Sequence, residues 1–292
     1  LIVSFIGFQN DTIHVSSKNQ QLDIVLRDGV ELNEVNIVTR KLGTMKLRSS
    51  VMNEDMISSA ELSRAACCNL GESFVTNPSV DVSYSDAATG AKQIKLLGLS
   101  GTYVQMLTEN IPNYRGAAAP YGLGYVPGPW MQSIQVSKGT SSVKNGYEAI
   151  TGQINVEFKK PQLPEADWVS ANLFASTTNR YEANADATLK LSKRWSTSLL
   201  AHYENETKAH DGNDDGFVDI PQVEQYNVWN RWAYMGDHYV FQAGIKALSE
   251  TRTSGQANHG GTMHSGDLYK VRIDTERYEF FTKNAYIFNK EK

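Results

Sequence analysis

The chain has 292 residues, with 28 Lys and Arg against 32 Asp and Glu and a formal net charge of −4. That length holds one large or two moderate domains, each able to bury a core. The cations are scattered with no basic stripe, which excludes nucleic acid as a partner. No run approaches the roughly 18 apolar residues of a membrane helix, although a β-barrel spans with strands and escapes that count.

The first stretch, LIVSFIGFQNDTIHV then QLDIVLRD, reads as two alternating strands joined by a polar turn. It lacks a charged n-region and a small-residue cleavage site, so it is not a signal peptide, and Leu1 is expected to continue something longer. GVELNEVNIVTRK follows as an exposed acidic and β-branched run leading into a polar linker.

From about residue 46 to 160 the pattern is mixed. NEDMISSAELSRAACCNLGESF predicts one or two short helices, with Asn53 or Ser58 as the cap and Met56, Leu62, Ala66 and Leu70 at helical spacing. The adjacent Cys67 and Cys68 can neither staple distant loops nor match the spacing of a zinc pair. They read as two small buried residues on a short helix, with a strained vicinal disulfide or a soft-metal contact as the sharper alternative. Short strands follow in AKQIKLLGL, TYVQMLTEN, MQSIQVSK and GQINVEFKK. The result is a small α+β unit too irregular for a doubly wound nucleotide fold.

The last part differs in kind. YEANADATLKLS places Tyr181, Ala183, Ala185, Ala187, Leu189 and Leu191 on one face and Glu182, Asn184, Asp186, Thr188, Lys190 and Ser192 on the other. WVSANLFAS, WSTSLLAHYENE, VWNRWAYM and YVFQAGIKAL alternate with more blemishes. A sixth strand lies in LYKVRIDTERYEFFTKNAYIF, where the apolar phase changes midway and leaves the faces unassigned. Tight turns (SKRW, MGDHY) alternate with long polar loops (TKAHDGNDDGFVDIPQVEQY, SETRTSGQANHGGTMHSGD). That is the layout of an outer-membrane barrel, while a soluble sandwich also alternates, apolar-in and polar-out. Small residues on the apolar face, aromatics toward strand ends (Trp168, Tyr181, Trp195, Tyr203, Trp232, Tyr239) and segment lengths near the roughly 9–11 residues of a tilted membrane strand favour the barrel.

Two loops carry candidate ligands. In DGNDDGFVD, Asp211, Asn213, Asp215, the Phe217 carbonyl and Asp219 fall at positions 1, 3, 5, 7 and 9 of an EF-hand-like loop with Gly216 at the sharp turn. Gln222 stands where the bidentate acid belongs, so the expectation is weak calcium in an extracellular loop, set against an ordinary solvated turn. His259, Met263 and His264 in HGGTMH suit haem iron, copper or another soft or borderline metal, or are simply polar loop residues. No catalytic dyad or triad is found, and no enzyme is expected.

The stretch GLSGTYVQMLTENIP, then MQSIQVSK, the bend NGYEAIT and the strand GQINVEFKKP resembles the plug domain of TonB-dependent outer-membrane receptors. The matching parts are Met106 to Pro112, Ser133 to Lys138, Gly146 to Tyr147, and Gly152 to Val156. One departure is Gln153, where the family has a second glycine. The head of the chain resembles the end of the carboxypeptidase-regulatory-like domain of Bacteroidetes-type receptors, and Glu34, Val35, Asn36, Ile37 and Val38 sit where the TonB box would be.

The resemblance implies a mainly β chain: 1–29 a β-sandwich tail, 30–45 the TonB-box segment and linker, 46–162 the plug, and 163–292 about six antiparallel strands of a barrel expected to have 22. Six strands cannot enclose a plug, so the chain is expected to be part of a larger receptor. The resemblance also implies the outer membrane of a Gram-negative bacterium, a periplasmic TonB energy-coupling partner, contact with outer-membrane lipid, and energised uptake of a small metal complex such as a ferric siderophore, haem or cobalamin, with no cofactor required. It places Tyr114, Arg115, Tyr121, Tyr125 and Trp130 in a loop facing the incoming ligand, or packed on the barrel wall. A glycan-importing receptor and a secreted calcium-binding β-sandwich adhesin are the alternatives.

Overall fold

A computed structural model of the protein describes residues 2–3, 11–12, 24–25, 44–46, 53–65, 68–75, 77–86, 88–99, 101–141, 145–161, 168–257 and 268–288. The chain divides into two compact units, Leu1–Lys41 and Leu42–Lys292. In the first, β1 (Ile2–Val3) pairs antiparallel with β2 (Asp11–Thr12). Most of the expected sandwich tail and all of Glu34 to Val38 lie outside the described residues.

The second unit begins with β3 (Thr44–Lys46), β4 (Asn53–Ser58), α1 (Ser59–Arg64), β5 (Val80–Asp86), β6 (Ala91–Leu96), β7 (Val104–Thr108), β8 (Ile111–Pro112), α2 (Ala119–Gly122), β9 (Met131–Lys138) and β10 (Gly152–Phe158). One sheet runs in the order β3-β4-β9-β10-β7-β8, and β5 and β6 form a separate hairpin. Among the described residues only β10 and β7 pair in parallel; Ile154, Val156 and Phe158 share one buried apolar face of β10, and the polar Gln153 and Asn155 on its other face are buried as well.

Ser58 caps α1 by accepting the Glu61 N–H at 3.4 Å. Asn53 is the first residue of β4, and Met56 lies on that strand opposite Gln135 of β9. Strand pairing there overrides the helical spacing. Cys68 lies past α1 rather than on it and is buried. Burial, then the carboxylate of Glu182, pushes its thiol pKa far up, so it is not a reactive thiolate. Cys67 falls outside the described residues.

The bend before β10 needs glycine for space. A Cβ on Gly152 would collide with the Ser137 carbonyl oxygen of the facing strand. Gln153 is buried and accepts the Ser141 hydroxyl at 2.6 Å, closing the loop with a side chain where the family pattern has glycine.

The remaining strands, β11 (Trp168–Ala175), β12 (Tyr181–Lys190), β13 (Trp195–Glu206), β14 (Gln222–Met235), β15 (Tyr239–Gly255) and β16 (Lys270–Tyr286), form an antiparallel meander in sequence order. β14 and β15 are longer than the alternation alone marked.

The faces of this meander are inverted relative to a soluble sheet. The polar side chains Glu182, Asn184, Asp186, Ser196, Ser198, Gln225, Asn227, Arg231, Lys246 and Glu250 are buried against the first sheet. The other face exposes Leu199 at 47%, Ile245 at 65%, Tyr278 at 75% and Phe280 at 71%. Burying that many polar groups while exposing apolar ones is costly in water; it is the arrangement of a strand sheet with lipid outside.

The outer face is banded. Tyr203 meets Tyr226 at a tilt with ring centroids 4.9 Å apart on one row, and Trp195 meets Tyr234 likewise at 5.1 Å on another. The rows are eight residues apart along β13, about 26 Å along the strand, which at the roughly 40° tilt of a barrel strand spans about 20 Å of the approximately 25 Å apolar band. Between them lie Leu199, Ala201, Val228, Ile245 and Ala247.

The same band explains the phase change in β16. Tyr278 and Phe280 point outward within it, Glu276 points outward in register with the Tyr203–Tyr226 row, and Arg272 and Asp274 point outward beyond it, where they pair at 2.9 Å. The strand keeps one register throughout, and its surroundings change from apolar to aqueous. The core of the first sheet extends into the wall, since Leu200, Trp229 and Leu248 join Trp130, Ile134, Ile154, Val156 and Phe158 in one cluster. Phe158 meets Trp229 edge-on at 4.6 Å.

Candidate functional site

The long-loop end of the meander holds a cavity of about 190 Å³ between the β5–β6 hairpin, the segment around Tyr121 and the ends of β11, β13, β14 and β15. Arg180, in the turn before β12, lies 2.7 Å from Glu72, 2.7 Å from Glu182 and 3.1 Å from Glu204. Burial draws the Glu72 carboxyl up, but the Arg180 guanidinium outweighs it and holds that pKa below the usual value. Arg252 is held by Glu250 at 2.5 Å and lies 5.5 Å over the Tyr121 ring.

Two charges on the cavity lining are different. Lys92 sits 5.5 Å over the Tyr84 ring, and Glu206 is 7% exposed, yet among the described residues neither forms an ion pair. Burial pushes the Lys92 pKa down, against the partly compensating Glu72.

Farther toward the short-turn end, the two sheets are joined by a buried seam. Glu109 and Asn110 form the two-residue turn between β7 and β8, both at positive φ, a conformation that normally selects Asn-Gly. Glu109 spends that strain on a contact: its carboxylate meets Arg231 of β14 at 2.5 Å, with both side chains almost fully buried. Arg231 also donates to the Lys159 carbonyl at 2.8 Å, and Lys283 of β16 donates to the Glu109 carbonyl at 2.6 Å.

A second seam contact is Lys246 of β15, which donates to the Tyr114 hydroxyl at 3.2 Å and the Tyr125 carbonyl at 3.1 Å. The rings of Tyr114, Trp130 and Trp229 surround it at 5.8 to 6.0 Å. Asn227 donates to the same Tyr125 carbonyl at 3.0 Å.

A family model described as TonB-dependent Receptor Plug Domain matches residues 46–153. The chain carries the plug of a TonB-dependent receptor. It is 24% identical over 185 residues to the vitamin B12 transporter BtuB of Vibrio vulnificus, covering 63% of this chain and 30% of that protein. The fold matches the ferripyoverdine receptor of the Pseudomonas aeruginosa outer membrane with a TM-score of 0.63 at 14% identity, over 82% of this chain and 32% of that one. It also matches the copper transporter OprC with a TM-score of 0.57 at 14% identity, over 81% of this chain and 35% of that one. The chain therefore spans about a third of the length of these relatives, which are receptors and transporters rather than enzymes. The inverted meander follows the barrel wall of the same fold.

Of the loop residues expected to face a ligand, the structure places only Tyr121 on this cavity. Tyr114, Tyr125 and Trp130 are buried at 4%, 2% and 0% and pack the plug on the wall. Their position in a Gly- and Pro-rich loop suggested exposure, but inward-facing Lys246, Trp229 and Asn227 cover them. Arg115 turns elsewhere and donates to Glu148 at 2.6 Å. Partial burial raises the Glu148 carboxyl, and the Arg115 bond outweighs that to hold its pKa low.

His259, Met263 and His264 lie outside the described residues. In the 211–219 loop the acids close on their own backbone. Asp211 accepts the Gly216 N–H at 2.8 Å, Asp215 the Phe217 N–H at 2.8 Å, and Asp219 the Gly212 N–H at 2.7 Å, while Asn213 donates to Asp215 at 2.9 Å. Among the described residues no group of three His, Cys, Asp or Glu side chains is placed to hold a metal ion.

The cavity charges were present in the sequence as the polar face of the strands. Glu204 and Glu206 continue the face of β13 that carries Ser196, Ser198 and His202, which alternation turns away from Leu199 and Ala201. Lys92 carried no such signal, because the β5–β6 hairpin has no lipid face.

Proposed function

We propose that this protein acts in the outer membrane of a Gram-negative bacterium as a receptor for energised uptake of a scarce metal complex, such as a ferric siderophore, haem or cobalamin. One observation carries the reading: a plug docked by buried polar contacts on the lumen face of strands whose other face is apolar and banded with aromatics. In this reading ligand enters at the long-loop end, loads the cavity, and shifts the plug relative to the wall. The segment Glu34 to Val38 then pairs as an added strand with a periplasmic TonB partner.

The kinship with proteins named for vitamin B12, ferripyoverdine and copper supports a metal complex as the cargo class. The secreted sandwich adhesin is disfavoured by Leu199, Ile245 and Phe280, which would face water.

Growth of a deletion strain on defined iron, haem and cobalamin sources identifies the cargo. Complementation with a receptor lacking residues 33–38 should leave ligand binding intact and abolish uptake; retained uptake would refute the reading.

A further inference from the structure

We propose that the cavity at the long-loop end binds a zwitterionic arm of the imported molecule, its carboxylate meeting Lys92 and its ammonium meeting Glu206. This rests on the receptor reading and specifies what its vestibule recognises.

The charges on the cavity lining divide into two sets. Arg180 is consumed by Glu72, Glu182 and Glu204, and Arg252 by Glu250. These ion pairs balance one another's charge inside the protein and leave little net charge for a ligand. Lys92 and Glu206 stand apart, since each lines the cavity without an ion pair among the described residues. A desolvated charge outside an ion pair is unfavourable in a folded protein; the Thr178 hydroxyl bonded to Glu206 and the Glu72 charge near Lys92 offset part of that cost, and a ligand supplying the opposite charge relieves the rest. The two belong to opposite walls, Lys92 to the plug hairpin and Glu206 to the end of β13.

They also flank one phenol. Lys92 lies over the Tyr84 ring, and the charge of Glu206 acts on the Tyr84 hydroxyl. Opposite charges across a narrow space, unpaired with each other, are complementary to a group carrying both. At about 190 Å³ the cavity is below the usual range for a whole drug-sized ligand and accommodates an arm. A polyanionic ligand is disfavoured, because its charge would meet Glu72, Glu204 and Glu206 behind the cations.

The test uses the purified receptor in detergent and a ferric tris-hydroxamate bearing one free α-amino acid terminus, with its N-acetyl derivative and its methyl ester, followed by tryptophan quenching. The free form should bind at least roughly tenfold tighter than either derivative, the scale of one lost hydrogen bond to a charged group. Lys92→Gln should bind ester and free acid alike while still preferring the free amine. Glu206→Gln should bind amine and acetyl forms alike while still preferring the free acid. The preference each variant retains shows that its site is folded.

Equal binding of all three forms, tighter binding of a derivative, selectivity unchanged in both variants, or no binding of any form would overturn the proposal. The receptor reading fails separately, through uptake that survives deletion of residues 33–38.

Discussion

Removing Arg231 should loosen the plug more than any other single change on the wall. The Arg231 and Glu109 side chains are 1% and 2% exposed and 2.5 Å apart, so Arg231→Met leaves a carboxylate buried with only Lys283, 3.4 Å away and 35% exposed, as counter-charge. Breaking a buried pair from one side costs about 3–5 kcal/mol. The Lys159 carbonyl loses a donor as well, and Lys283 offsets part of the total, so about 3 kcal/mol is expected.

That corresponds to on the order of a hundredfold increase in the population of the undocked plug. Hydrogen exchange of the amides of β7 and β10 in the purified receptor reads it directly. The double variant Glu109→Gln with Arg231→Met should recover much of the loss, because no charge is then stranded. A single-variant change below about 0.5 kcal/mol, the size expected of an ordinary surface substitution, or a double variant showing the sum of both losses would refute the argument.

Other outcomes follow from the same geometry. Gly152→Ala should disrupt the pairing of β9 and β10, because the new Cβ collides with the Ser137 carbonyl; a receptor with unchanged thermal stability would contradict this. Because the Glu72 pKa is depressed in the folded protein, its stabilisation is present above its ordinary value of 4.5 and is lost as pH falls through the folded pKa. Glu72→Gln should therefore flatten the acid limb of Tm against pH. Ile245→Arg, on the lipid face, should cost about 2–4 kcal/mol near mid-band, read by urea titration of the receptor in bilayers. Calorimetric titration with calcium should give no saturable heat from the 211–219 loop while Asp211, Asp215 and Asp219 hold their backbone N–H groups; saturable heat abolished by Asp211→Ala would show that the loop rearranges around the ion.

Much of the barrel wall was legible because its physics is local. Strict alternation in 181–192 fixed the two faces of β12, and the stretch 195–206 is β13 from end to end. What alternation left open was which face meets the protein, since a sandwich and a barrel share period 2 and differ only in the medium outside. The break in β16 was illegible for the same reason: the outward face passes from Phe280 and Tyr278 to Asp274 and Arg272 as the strand leaves the apolar band.

The plug was read through its motif and less well through propensity. At Met56, helical spacing lost to pairing with β9. The site was the least legible part. Aromatics in a flexible-looking loop suggested a ligand surface, but Tyr114, Tyr125 and Trp130 serve the seam, whose partners Lys246 and Trp229 lie more than a hundred residues or nearly so along the chain. The cavity charges outside ion pairs among the described residues, Lys92 and Glu206, become visible only once their neighbours are seen to be paired with others.

The central claim is that the meander turns its apolar face to lipid and its polar face to the plug. Single spin labels at positions 196 through 203 of β13 and 242 through 249 of β15, in a background with Cys67 and Cys68 replaced by alanine, test it in reconstituted bilayers. Oxygen accessibility should alternate residue by residue, high at 199, 201, 245 and 247 and low at 198, 200, 246 and 248, with the maximum between the two aromatic rows. Accessibility to a water-soluble nickel relaxant at 199 and 245 matching that of exposed loop positions would contradict it.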